Sequence, residues 1–241
     1  MNVVLLYNPK ASETKDRLVQ VASEVYDINL LPCNNIRKLV PLVNSVYSRT
    51  GRYPKVIKYG VDDGFNLSKS EQLVLVDDII KNTIADINSL EDTSTIMLKP
   101  PTMVTTFKEF KKLPDRGSKE VYNYVSNKSE WRVNYSFGVV NSIYNKNLTR
   151  DTIFGKADVT QWTYEQDRKI RGTLIKYTKA IAQRLLDEGY DELKHFGLDI
   201  IRDNTTGEYY LLELNKAHAL NEENCEFFLK GWINDNEIIR E

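Results

Sequence analysis

Residues 197–215 read GLDIIRDNTTGEYYLLELN, two apolar runs separated by the turn formers Asp203, Asn204, Thr205, Thr206 and Gly207. That pattern is a β-hairpin. Side chains two apart on a strand share a face, so Glu213 and Asn215 point the same way. A turn centred near Thr205 sets Asp199 across from Leu211, diagonal to Glu213 and on that same face. Leu198, Ile200, Ile201, Leu211, Leu212 and Leu214 withdraw these polar side chains from water. Two unpaired carboxylates in such a place are costly, and a divalent cation removes the cost. Magnesium suits the set, since it prefers carboxylate oxygen and keeps positions for water and phosphate. The same residues also read as an acid pair bonded to lysine or backbone at a hairpin end.

Upstream of the hairpin, residues 167–189 form a long helix with Ile170, Leu174, Tyr177, Ile181 and Leu185 inward and Gly189 as its stop. Residues 121–125, 131–137 and 139–144 are aromatic and β-branched, as antiparallel strands are, with Gly138 near a turn. Pro114, Asp115, Arg116, Gly117 and Ser118 mark a loop. Thr106 and Glu109 form a capping box ahead of a short helix to residue 112. Residues 95–98 are a strand. Leu73, Val76, Ile80, Ile84 and Ile87 recur at helical spacing, which predicts one amphipathic helix over 70–87 with Lys81 beside its apolar face.

The first part of the chain alternates strands at 3–7, 28–31 and 56–59 with helical patterns at 14–25, where Leu18, Val21 and Val25 share one face, and at 36–47, interrupted by Pro41. Such alternation favours a parallel α/β arrangement. The expected division is an N-terminal α/β unit over 1–70 followed by an α+β unit over 71–241 with an antiparallel sheet.

The hairpin resembles the C-terminal signature of the ATP-grasp superfamily, in which an Asp on one strand is followed by a Glu-x-Asn triplet on the next. Glu130, Trp131, Arg132 and Val133, coming after Tyr122, Asn123, Tyr124 and Val125, are similar to that family's hinge and following strand. The resemblance covers about residues 70–224 and is of the carboxylate-amine ligase type, similar to ribosomal-protein glutamate ligases and phage-type ATP-grasp proteins. It implies ATP and Mg2+ as cofactors, with Asp199, Glu213 and Asn215 as metal ligands. It further implies adenine on the backbone of Asn123, Tyr124 and Val125, the ribose hydroxyls on Glu130, and Arg132 facing phosphate or substrate. Lys81 and Lys99 match the two lysines that contact the nucleotide phosphates. The activity implied is ligation of a small-molecule or peptide carboxylate to an amine or similar nucleophile through an acylphosphate. A catalytically degenerate nucleotide-binding protein is the alternative, because the family's glycine-rich loop is missing: only Gly117 lies between Lys99 and Glu130. Arg116, Gly117 and Ser118 could serve as a shortened cover. A metal-dependent phosphoesterase or nuclease using Asp199 and Glu213 as its acid pair is a third reading.

Other residues have plainer readings. Glu130 and Arg132 could be a same-face ion pair, Arg150 and Arg171 surface cations, and Trp162 is favoured as core over a substrate-side aromatic. Cys33 and Cys225, without CxxC spacing and with only two histidines in the chain, read as buried small hydrophobes and nearly exclude structural zinc. With 33 basic and 34 acidic residues the net charge is −1, which gives no nucleic-acid or membrane signal. The start MNVVLLYNPKAS is too short in apolar run for a secretory signal, so a cytoplasmic protein is expected, with homo-oligomerisation left open.

Overall fold

The computed structural model describes residues 1–61, 65–99, 103–126, 129–148, 159–216 and 219–236. Three sheets organise them. The first is parallel, in the order β2-β1-β3, from β1 (Asn2–Tyr7), β2 (Asn29–Cys33) and β3 (Lys55–Tyr59). Helix α1 (Ser12–Tyr26) covers one face with Leu18, Val21 and Ala22, and α2 (Ile36–Thr50) covers the other with Leu39, Leu42 and Val43. Two details differ from the sequence reading. Val25 is exposed, since the inward stripe of α1 ends at Ala22. Pro41 does not interrupt α2, which runs through it and is held by the Asn35 cap and by Val46 in the core.

The predicted helix over 70–87 is shorter. Helix α3 (Lys69–Leu75) opens on a capping box of Ser68 and Glu71 and stops after two turns. Leu73, Val76 and Ile80 are all buried, as their spacing requires, but the chain turns after Val76. It then runs as β4 (Lys81–Asn82), pairing parallel with the hairpin at Tyr210 and Leu211. Sheet pairing overrides the helical period here. Ile84 bridges to Tyr122, and Ile87 is exposed.

A small antiparallel sheet, β6-β5-β7, follows from β5 (Thr95–Lys99), β6 (Met103–Thr106) and β7 (Glu120–Asn123). Thr106 caps the one-turn helix α4 (Phe107–Phe110), whose two phenylalanines fill this sheet's own core with Ile96 and Leu98.

The main sheet has six strands in the order β10-β9-β8-β11-β12-β4. Its members are β8 (Ser129–Ser136), β9 (Val139–Leu148), β10 (Val159–Tyr164), β11 (His195–Arg202), β12 (Tyr209–Asn215) and the edge strand β4. Helix α5 (Arg168–Asp187), capped by Asp167, lies on one face with Leu174, Ile181 and Leu185 against Trp131, Val133, Ile143, Leu198, Ile200 and Leu211. Each of those large side chains contributes roughly 1.5–3 kcal/mol on burial, enough to fix which face of every strand looks inward. The alternate residues Glu130, Arg132, Lys146, Asp199 and Glu213 must therefore share the opposite face.

The last helix, α6 (Glu222–Asp235), returns to the first unit. Cys225, Phe228, Leu229, Trp232 and Ile233 pack with α1 and the parallel sheet. A methyl group at Gly231 would meet the Phe137 ring at 2.7 Å, at a hairpin corner where Phe137 itself has a positive φ of 49°. Gly231→Ala is therefore expected to lower stability by about 1–3 kcal/mol, read as a fall in the urea midpoint at unchanged slope. No helix among the described residues is long and apolar enough to cross a membrane.

Candidate active site

Neighbouring strands build the site by register alone. On β11, Asp199 stands opposite Arg132 of β8 on one side and Glu213 of β12 on the other. This corrects the expected hairpin register: Asp199 faces Glu213 directly, and Ile200 faces Leu211. A bulge between Asp199 and Ile200 absorbs Leu212 and brings the two acids into line.

Asp199 is only 4% exposed. Arg132 donates Nε to its Oδ1 and an Nη2–H to its Oδ2 at 2.5 Å, a bidentate pair. Lys146 of β9 donates from Nζ to Asp199 Oδ1 at 3.2 Å and also to Glu130 Oε1, its cross-strand partner. Asn215 donates Nδ2 to Glu213 Oε1 at 2.6 Å and reaches Asp199 Oδ2 at 3.4 Å. Lys69, at the start of α3, lies 3.4 Å from Glu213 Oε2. Burial pushes the Asp199 carboxyl up, but Arg132 and Lys146 outweigh it and hold the group below the usual carboxylate range. Burial likewise works against the Arg132 charge and is outweighed by Asp199.

Lys99, at the end of β5, lies within electrostatic reach of this cluster. Burial and then the Lys69 charge push its ammonium down, while Glu213, Glu120 and Glu130 work in the opposite direction. Its Nζ sits 5.5 Å from the centre of the Tyr122 ring. Asn123 and Tyr124 donate their backbone amides to Thr83 and Thr95 at 2.8 and 3.3 Å, and Val125 is buried. This stretch leads from β7 towards β8, and Ser126 accepts from the Asn204 amide of the hairpin turn.

The cluster thus gathers Asp199, Glu213, Asn215, Arg132 and Glu130, with Lys99 nearby. Lys81 lies elsewhere: on the edge strand it pairs with Glu208 at 2.6 Å, both half exposed. Glu130 and Arg132 do not pair with each other, because each meets an oppositely charged neighbour on the next strand. Trp162 is not core, being 44% exposed. Its ring lies over Lys146 Nζ at 4.9 Å and the Arg132 guanidinium at 5.7 Å. Arg171 donates to the Glu165 carbonyl on the α5 side of the sheet, Arg150 lies outside the described residues, and Arg116–Ser118 forms an exposed 3-10 turn. Lys69 and Lys146 were not singled out from sequence. Lys146 left no clear signal, because polar residues stand on both faces of β9, with Ser142, Tyr144 and Lys146 on one and Asn145 beside Ile143 on the other.

By sequence, no family model and no curated protein matches the chain. Solved structures do. A RiPP-associated ATP-grasp ligase from Chryseobacterium gregarium, in complex with ADP and a leader and core peptide, superposes with a TM-score of 0.64 at 12% identity over 98% of this chain and 97% of that one. The D-alanine–D-alanine ligase of Bacillus anthracis gives 0.62 at 11% identity over 99% and 98%. This chain has the ATP-grasp fold. A macrocyclase of Microcystis aeruginosa bound with precursor peptide gives 0.55 at 12% identity over 91% and 92%. The ATP-grasp match runs along the whole chain, including the parallel N-terminal unit that the motif resemblance did not cover.

Proposed function

We propose that the chain is an ATP- and magnesium-dependent ligase joining a carboxylate to an amine or similar nucleophile. The observation that carries this reading is the row Arg132, Asp199, Glu213 across three adjacent strands of an ATP-grasp sheet, with Asn215 beside it. Nucleotide binding is assigned to the unit from residue 71 onward. Two carboxylates opposite one another offer hard oxygen donors that fit Mg2+, and Asn215, whose Nδ2 donates to both acids here, would turn its Oδ1 to the ion. Among the described residues no three His, Cys, Asp or Glu side chains gather, so Asn215 completes the set with Asp199 and Glu213. When bound, the ion would neutralise charge on the ATP phosphates.

In this reading Asn123, Tyr124 and Val125 receive adenine, Glu130 the ribose hydroxyls, and Lys99 and Arg132 the phosphates, with Lys69 in place of the distant Lys81. A substrate carboxylate oxygen attacks the γ-phosphorus, the bond to the β-phosphate oxygen breaks, and ADP leaves. The amine then attacks the acyl carbon, phosphate departs, and the amine proton passes to solvent. The residues contribute positioning and charge neutralisation. The peptides bound to the Chryseobacterium and Microcystis proteins support a peptide as the carboxylate donor, and ATP dependence fits a cytoplasmic setting.

The test is calorimetric titration of ATP with and without Mg2+, followed by ADP release with acidic peptides. Binding that needs Mg2+ and falls at least tenfold in Lys99→Met supports the reading, and no ATP binding to the wild type overturns it. One observation favours a nucleotide-binding protein without turnover: Asp199 is already held by Arg132 and Lys146. ATP binding without ADP release would decide for that alternative.

A further inference from the structure

Lys146 is a buried ammonium, 7% exposed, beside the lysines expected in this site. It contacts the two acids assigned to the ribose and to the metal, Glu130 and Asp199, and lies under the Trp162 ring. Each Asp199 oxygen is already committed. Oδ1 accepts from Arg132 Nε and Lys146 Nζ, and Oδ2 accepts from Arg132 Nη2 and is approached by Asn215. A carboxylate offers about four acceptor positions, so an incoming cation must displace a resident one. It must also approach two positive charges within a few ångströms, in surroundings where water screens them poorly.

Resting on the ligase reading of this site, we propose that Lys146 is a positioning residue that keeps metal out of Asp199 until nucleotide arrives. Phosphate oxygens give Lys146 and Arg132 alternative anionic partners. Their departure frees Asp199 to join Glu213 and Asn215 around the ion. Nucleotide and metal therefore bind with positive coupling, and linkage requires that each raise the affinity of the other by the same factor. Trp162 reports the exchange. Of the three tryptophans it is the exposed one, Trp131 and Trp232 being 2% and 4% exposed, and it loses a cation from its face when Lys146 moves.

The experiment uses the full chain, Mn2+ followed by electron paramagnetic resonance, and a non-hydrolysable ATP analogue. Wild type is expected to bind Mn2+ at least a hundredfold more weakly without the analogue than with it. Lys146→Gln is expected to bind Mn2+ alone about tenfold more tightly than wild type and to lose most of the coupling. Lys146→Arg, which keeps the charge, should behave as wild type, and matching melting curves for the two variants exclude a folding defect as the cause. The analogue alone should change tryptophan emission in wild type and not in Trp162→Phe. Tight Mn2+ binding to wild type without nucleotide, lost in Glu213→Gln, would overturn the gating while leaving the site reading intact. So would a Mn2+ affinity unmoved by Lys146→Gln. Absence of Mn2+ binding to wild type even with the analogue would remove the metal site itself and the gating with it.

Discussion

Glu213→Gln is expected to reduce ATP turnover by at least a thousandfold while leaving the melting temperature within a few degrees of wild type. Glu213 is about one-third exposed, and its partners in the fold are Lys69 at 3.4 Å and the Asn215 amide. Replacing the carboxylate with an amide of the same shape keeps an acceptor oxygen for one of these donors, and the other turns to water at this partly exposed position. Exposed pairs of this kind contribute about 0–1 kcal/mol, so the fold has little to lose. Charge stabilisation by a bound metal is worth several kcal/mol in a transition state, and each 1.36 kcal/mol is a factor of about ten in rate. The asymmetry between rate and stability is the diagnostic. ADP release and a thermal melt on the same preparation would check it: undiminished turnover sinks the metal assignment, and loss of folding with loss of turnover returns Glu213 to a structural role.

How much of this was legible in the sequence depends on the range of the interaction. Period-two alternation and the turn formers at 203–207 were enough to place Asp199, Glu213 and Asn215 on one face. The bulge that aligns Asp199 with Glu213 was not readable, because Leu212 is as apolar as its neighbours and nothing in the pattern marks it as the extra residue. Order along the chain reveals neighbours within a hairpin but not across a sheet. Arg132 meets Asp199, and Lys146 meets it too, only because β8 and β9 stack beside β11. The 70–87 period was a true record of burial at Leu73, Val76 and Ile80, yet not of helix, since a turn followed by an edge strand buries the same positions. Trp162 was misjudged for a related reason: an aromatic on an edge strand covers two cations rather than a core, and those cations belong to other strands.

Arg132→Met should cost on the order of 3 kcal/mol of stability at neutral pH, because it leaves Asp199 buried with Lys146 as its remaining cation. The pH dependence separates this from loss of packing. In the wild type the folded Asp199 carboxyl is held below its ordinary value of about 3.9. Its contribution is therefore present above that value and lost as pH falls through the lower folded one. Without the guanidinium, burial is the dominant influence and raises the carboxyl above its unfolded value. Protonation then favours the folded state, so the variant's deficit is greatest at neutral pH and shrinks as pH falls towards 4. The double variant Arg132→Met/Asp199→Asn removes the orphaned charge and should regain at least half of the loss at pH 7. Urea unfolding of wild type, single and double variants at pH 7 and pH 4.5 measures both effects. A deficit that is the same at both pH values, and not relieved by Asp199→Asn, would mean that Arg132 supports the fold through its hydrocarbon stem and its stacking on Trp162 rather than through the charge it shares with Asp199.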